Sequence, residues 1–139
     1  GGVGGHAGLF SNAQDLGALM QMLISDGEYG GTRYLDKNVI NSFSKCQFCP
    51  KNRRGAGFDR PEADPDKGNP VCDCVSLKSF GHTGFTGTMV WGDPENEIVY
   101  VFLSNRTYPN AYVKNRLAKL GIRTRIQKVI YQELVNKSS

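Results

Sequence analysis

No run in this 139-residue chain approaches the roughly 20 consecutive apolar residues that a membrane-spanning helix needs. The longest, Ile98 to Leu103, is the length of a strand, so no helical membrane span is expected. Histidine is scarce. His6 and His82 are the only two, and no acidic residue stands at ligand spacing from either, so a His-based metal site has little support. His6, in a glycine loop, reads as a structural histidine. Internal repeats and low-complexity tracts are absent as well. The opening Gly1-Gly2-Val3-Gly4-Gly5 has neither the basic start nor the apolar run of a signal peptide. It does not begin with Met, and the expectation is a piece cut from a longer polypeptide.

The content is that of an ordinary globular chain. Apolar residues make up 39%, and 17 Lys+Arg against 13 Asp+Glu give a net charge of +4. Residues 1–139 are expected to form a single domain, burying roughly 68% of the surface of the unfolded chain. Charge is uneven. From Arg106 onward stand Lys114, Arg116, Lys119, Arg123, Arg125, Lys128 and Lys137 against a single acid, Glu133. Such a segment could touch nucleic acid, but no aromatic residues are interleaved as stacking platforms and Gly121 interrupts the run. A solvated face, or one meeting the rest of the polypeptide, is the stronger reading, and no nucleic-acid partner is expected.

Local signals set out the elements. Ser11 with Gln14 three residues on has the capping-box spacing, and Leu16, Leu19, Met20, Leu23 and Ile24 then give one apolar helical face. Gly27 is the expected stop, Gly30-Gly31 a turn, and Asp36 the cap of a short helix carrying Val39, Ile40 and Phe43. Residues 46–79 read as a long surface loop with a short strand near Gly55–Phe58. Thr86, Thr88 and Val90 alternate with Gly87, Met89 and Trp91 as in a strand, and Asp93-Pro94-Glu95-Asn96 supplies a hairpin loop. Ile98 to Leu103 lacks alternation, which predicts a strand covered by helices on both faces. A last helix is expected from about Ile122 to Asn136, with Ile122, Ile126, Val129, Ile130 and Leu134 inward, and Gly121 separating it from a shorter turn around Leu117. The class is α+β, a mostly antiparallel sheet flanked by helices.

Two groups of residues carry chemistry. Cys46-x-x-Cys49 and Cys72-x-Cys74 suit a four-thiolate zinc site, one or two disulfides tying down the loop, or reduced thiols; spacing alone leaves all three open. The segment Ser79-Phe80-Gly81-His82-Thr83-Gly84-Phe85-Thr86-Gly87-Thr88 places a polar triplet on or beside a strand, where a substrate can lie along the edge.

Taken with Gly2-Val3-Gly4-Gly5-His6-Ala7-Gly8-Leu9-Phe10-Ser11, Asp15-Leu16, Asp93-Pro94-Glu95-Asn96 and Leu103-Ser104-Asn105-Arg106, this segment resembles the C-terminal half of β-lactamase-related serine hydrolases, the class C β-lactamase and penicillin-binding-protein-like group. The likeness is nearest to the version fused behind family 3 glycoside hydrolase (β-N-acetylglucosaminidase-like) modules in Bacteroidetes. It implies a partial β-lactamase/transpeptidase-like fold, export to the periplasm or cell envelope, and peptidoglycan-type amide or ester substrates. It also implies no metal, which favours disulfides. By the same resemblance His82 joins the proton network around the nucleophile, Thr83 offers its hydroxyl to the substrate carboxylate, and Gly84 precedes Phe85, whose backbone N–H forms half of the oxyanion hole. One such donor contributes about 3–4 kcal/mol to the transition state.

The family's Ser-x-x-Lys and Tyr-x-Asn both precede the glycine-rich opening and are missing here. Ser42-Phe43-Ser44-Lys45 and Tyr108-Pro109-Asn110 match literally but stand in the wrong order. Nine Ser and nine Lys give about half a Ser-x-x-Lys by chance, and both matches read as accidents. Without a nucleophile and its base there is no covalent catalysis. The expectation is therefore a hydrolase portion inactive alone, completed by the missing N-terminal part of the same polypeptide, with a homodimer covering the exposed surface in its absence. A non-catalytic ligand-binding domain and a zinc-stabilised basic nucleic-acid module are the alternatives.

Overall fold

The computed structural model describes residues 4, 7–64, 66–111 and 116–135. His6 lies outside them. The architecture is α+β in three layers. An antiparallel sheet of β3 (Phe80–Thr83), β4 (Met89–Asp93) and β5 (Ile98–Phe102), in that order, lies between α1 (Ala13–Ile24) and α4 (Ile122–Leu134). Ahead of the sheet come a small hairpin, β1 (Glu28–Tyr29) with β2 (Thr32–Arg33), and α2 (Lys37–Ser44); α3 (Arg116–Lys119) precedes α4. No described helix is long and apolar enough to cross a membrane.

Helix α1 starts one residue later than its spacing predicts. Asn12, not Ser11, is the cap: its Oδ1 accepts from the N–H groups of Gln14 at 2.9 Å and Asp15 at 3.0 Å, and its Nδ2 donates to Asp15. Asn caps as well as Ser, and the shift places an acid in the positive first turn. At the other end Asp26 adopts the left-handed conformation, and the Gly27 N–H reaches back to the Met22 carbonyl at 2.9 Å, a Schellman closure. Gly30 and Gly31, both at positive φ, form the β1–β2 turn as expected. Asp36 does cap α2, although of its three apolar residues only Ile40 is buried; Val39 and Phe43 stay exposed.

Alternation along the sheet decides what each face meets. Met89, Trp91 and Tyr100 point to one side, forming with Val71 the core on which Ile130 of α4 packs. Gly92 faces the other side, where α1 comes so close that a Cβ would strike Ile24 and Met20. Helices thus cover both faces of β5, as its unbroken apolar run predicts. Strand β4, however, begins at Met89. Thr86 and Gly87 lie in a hairpin loop closed by the Gly84 N–H on the Thr88 carbonyl (2.8 Å) and the Gly87 N–H on the Gly84 carbonyl (3.0 Å), with Gly87 at φ +92°. The alternation before Met89 is that of a turn.

Helix α4 also differs from its periodicity. Its buried residues are Gln127 and Tyr131, whereas Ile126, Val129 and Leu134 are exposed. Gln127 accepts from the Cys72 N–H at 3.0 Å, and Tyr131 donates to Asp93 at 3.0 Å. Polar partners across the fold chose that face. No strand forms at 55–58; the loop instead makes two isolated antiparallel bridges, Phe48 with Asn52 and Asp59 with Gly81. Disulfides do not span this loop, because Cys46 pairs with Cys49 and Cys72 with Cys74. What holds it are Arg60, which donates to the Ser44 and Leu77 carbonyls, the Arg53–Asp59 ion pair at 3.0 Å, and Ser76, bound to Asp93.

Candidate active site

Strand β3 forms one edge of the sheet, and its pairing dictates which groups face outward. His82 lies opposite Val90, and the Gly84 N–H also points toward β4. Gly81 points the opposite way, exchanging two hydrogen bonds with Asp59, at 2.8 and 3.0 Å. By the alternation of a strand, the backbone groups of Thr83 face outward too, past the place where Asp59 ends. A short stretch of open edge therefore starts at the His-Thr-Gly triplet. Gly84 serves the turn that follows, for a Cβ there would run into the Thr88 hydroxyl.

The His82 ring is exposed, with Nδ1 2.8 Å from the Thr83 carbonyl. A carbonyl only accepts, so Nδ1 donates, and in the neutral ring the lone pair then belongs to Nε2. That is the tautomer a proton acceptor requires. Phe85 is 73% exposed, and its backbone N–H has no partner among the described residues. One free N–H beyond a histidine with an open lone pair, on an accessible strand edge, can hold the oxygen of a carbonyl and relay a proton beside it.

The hairpin tip that carries these groups is clamped from behind. Ser104 donates its hydroxyl to the Thr86 carbonyl at 3.1 Å, and the Arg106 N–H donates to the same oxygen at 2.9 Å. From α4, Arg123 donates to the carbonyls of Gly87 (3.3 Å) and Thr88 (3.2 Å), while the Tyr100 hydroxyl donates to the Arg123 carbonyl. Burial holds the Arg123 guanidinium below its usual range, Tyr100 opposes this, and the charge of Arg106 adds to the lowering. At the opposite end of β4, Asp93 has no exposed surface. Burial pushes its carboxyl up, but hydrogen bonds from Ser76 and Asn96 outweigh this and keep it below the ordinary aspartate value.

Neither Ser42 nor Tyr108, from the two literal motif matches, bonds to the triplet among the described residues. Ser42 is exposed in the last turn of α2, and among the described residues the His82 ring bonds only to Thr83. Tyr108 is 79% exposed in a loop. A groove of about 580 Å³ lies between α1, α2 and the start of β3, lined by Ile24, Ile40, Arg60 and Phe80 among others, but not by His82, Thr83 or Phe85. Reading residue by residue took Arg123 only as charge, and Arg106 only as charge and as the end of the Leu103-Ser104-Asn105-Arg106 motif. A signal existed: residues 74–92 and 98–132, which build this end of the sheet, contain no Asp or Glu.

The chain matches the sequence model of the beta-lactamase family over residues 1–122. Proteins of Salmonella enteritidis, Salmonella typhi and Salmonella paratyphi B, each named "Putative D-alanyl-D-alanine carboxypeptidase", are 33% identical to it over 127 residues. The alignment takes in 84% of this chain and 29% of theirs, so the chain spans under a third of the relatives it matches. A His-Thr-Gly edge strand backed by a C-terminal helix, together with a family match over most of the length, places the chain in the beta-lactamase family of serine hydrolases.

Proposed function

We propose that this chain forms one rim of the catalytic cleft of a cell-wall serine hydrolase that cleaves an amide or ester beside a terminal D-amino acid. What supports the reading is the open edge at β3, which carries His82, Thr83 and the free N–H of Phe85 within four consecutive residues. His82 takes part in proton transfer, Thr83 orients the substrate, and the Phe85 N–H stabilises the oxyanion. The names of the Salmonella proteins support the substrate class.

The attacking serine, its lysine and the tyrosine of Tyr-x-Asn belong, in this reading, to an N-terminal part of the same polypeptide, and the 139 residues alone turn nothing over. A homodimer covers the exposed surface when that part is absent, and the protein works in the cell envelope. Two cations of the basic segment are engaged internally, Arg123 on the hairpin carbonyls and Lys128 on Asp73, which argues against a nucleic-acid face. Fusion behind a family 3 glycoside hydrolase rests on the motif set alone, and the upstream residues decide it.

The test compares turnover of nitrocefin and of a D-alanyl-D-alanine peptide by the chain alone and by the chain with its preceding residues. Activity only in the longer protein, abolished by His82→Ala or by replacing an upstream serine, is expected. Turnover by the chain alone that disappears in Ser42→Ala would overturn the reading.

A further inference from the structure

The two disulfides of the long loop sit in opposite surroundings. Cys72–Cys74 is rooted in the core: Cys72 is buried, and its N–H donates to the wholly buried Gln127 at 3.0 Å. The residue between this pair is an acid, Asp73. Cys46–Cys49 lies at the surface, with Cys49 exposed and Phe48, between the two cysteines, exposed as well. Backbone hydrogen bonds close this turn independently of the sulfur bridge. The N–H groups of Lys51 and Asn52 donate to the Phe48 carbonyl at 2.9 and 3.1 Å, and the Gln47 N–H donates to the Arg54 carbonyl at 3.1 Å.

Charge separates the two pairs as well. Residues 37–58 contain no Asp or Glu, while Lys45 and Lys51 flank the exposed pair and form no ion pair with any described residue. Uncompensated cations beside a cysteine favour its thiolate, and a better-stabilised thiolate leaves faster. An acid such as Asp73 works the other way. The two sulfurs of the exposed pair are not equivalent. Cys46 is half-buried, and its Sγ lies 3.2 Å from the Asn52 carbonyl oxygen, an acceptor ready for a thiol proton. Cys49 is open to solvent. An incoming thiolate therefore reaches Cys49, and Cys46 is the sulfur that leaves.

We propose that Cys46–Cys49 is a reversible thiol–disulfide exchange site, while Cys72–Cys74 is a structural bridge that the same thiols leave intact. The partner thiolate bonds to the Cys49 sulfur as the Cys46–Cys49 bond breaks. The electron pair leaves on Cys46, which takes a proton from solvent and donates it to the Asn52 carbonyl. A second partner thiolate then attacks the partner sulfur of the mixed disulfide and releases Cys49 as a thiolate. Two electrons pass: the loop gains two thiols, and the partner is oxidised to a disulfide. Because the turn keeps its own hydrogen bonds, the thiols stay close and the bridge can form again. The exchange is independent of the hydrolase reading.

The experiment uses the complete polypeptide, including the residues that precede this chain, and two reductants in separate arms: glutathione and reduced thioredoxin, a protein dithiol. Thiols are trapped with N-ethylmaleimide at intervals, and peptide mass spectrometry reads each pair. Cys46–Cys49 is expected to open at least about tenfold faster than Cys72–Cys74, the difference that exposure and thiolate stabilisation supply. Reaction in one arm identifies the source of the thiol, and reaction in both shows a site open to either. In Cys46→Ser a mixed disulfide accumulates on Cys49, because the leaving sulfur is gone and oxidised glutathione caps the free thiol; Cys49→Ser, with its remaining thiol half-buried, is capped at least about tenfold more slowly. Replacing Lys45 and Lys51 together by Gln slows opening by glutathione about threefold, and added salt slows the native protein in the same direction. Equal rates for the two disulfides, no opening of Cys46–Cys49 in either arm, equal capping of the two Ser variants, or an unchanged rate in the Lys45→Gln, Lys51→Gln protein overturns the proposal.

Discussion

Asp93 offers the sharpest test of how the sheet is held. Its carboxylate, with no exposed surface, accepts from the Ser76 N–H (2.8 Å) and hydroxyl (2.6 Å), the Asn96 side-chain amide (2.8 Å), the N–H groups of Glu95 (3.1 Å) and Asn96 (3.3 Å), and the Tyr131 hydroxyl (3.0 Å). One side chain thereby joins the long loop, the β4–β5 turn and α4. Asp93→Asn keeps the shape but turns one acceptor oxygen into a donor. Placed at Oδ2, the new NH2 faces the Ser76 N–H and the Asn96 amide; placed at Oδ1, it faces the N–H groups of Glu95 and Asn96. The hydroxyls of Ser76 and Tyr131 can rotate, whereas two N–H donors lose their acceptor in either orientation. Each such loss costs about 1–3 kcal/mol, and relief from burying a charge offsets part of it. A net destabilisation of about 3 kcal/mol follows, or a urea midpoint lower by about 1.5 M if the slope is about 2 kcal/mol/M. The pH dependence has a definite sign. Because the folded carboxyl lies below the unfolded value of about 3.9, its contribution is complete above that pH and vanishes as pH falls through the folded value. The gap between native protein and Asp93→Asn should therefore close in acid. Equal urea midpoints at pH 7, or a gap that persists undiminished at pH 2, would refute the argument.

Three further outcomes follow from the packing. Gly92→Ala forces a methyl into Ile24 and Met20 of α1, so a loss of about 1–3 kcal/mol is expected in thermal melts, and an unchanged melt would mean that α1 does not lie on the sheet. Burial, and after it the charge of Asp93, pushes the Tyr131 phenol above its ordinary value; stability it contributes is complete below about pH 10 and is lost as pH rises further, a loss absent from Tyr131→Phe. Thiol titration of the unreduced chain should find no free cysteine, while a mole of bound zinc with four reactive thiols would contradict the disulfide pairs.

Much of this molecule is decided by signals only a few residues long. The apolar stripe of α1, the Asp36 cap, the Gly30-Gly31 turn and the unbroken apolar run of β5 act within one turn or one strand, so the chain itself specifies them. The His-Thr-Gly triplet and its place on a strand belong to the same class. Misreadings arose where a polar or distant partner outweighed local pattern: Gln127 and Tyr131 face inward because Cys72 and Asp93 wait there with hydrogen bonds, and Ile126 and Val129 are turned out as a result. Thr86 and Thr88 alternate like strand residues, yet Gly87 permits a turn that Ser104, Arg106 and Arg123 then clamp. Sequence alone thus determined most of the element types and which residues are candidates for chemistry. Only the tertiary structure decided which helix face is buried, which edge of β3 is open, and that Arg106 lies over Phe85. Those outcomes depend on hydrogen bonds and ring contacts between residues far apart along the chain, for which no local periodicity exists.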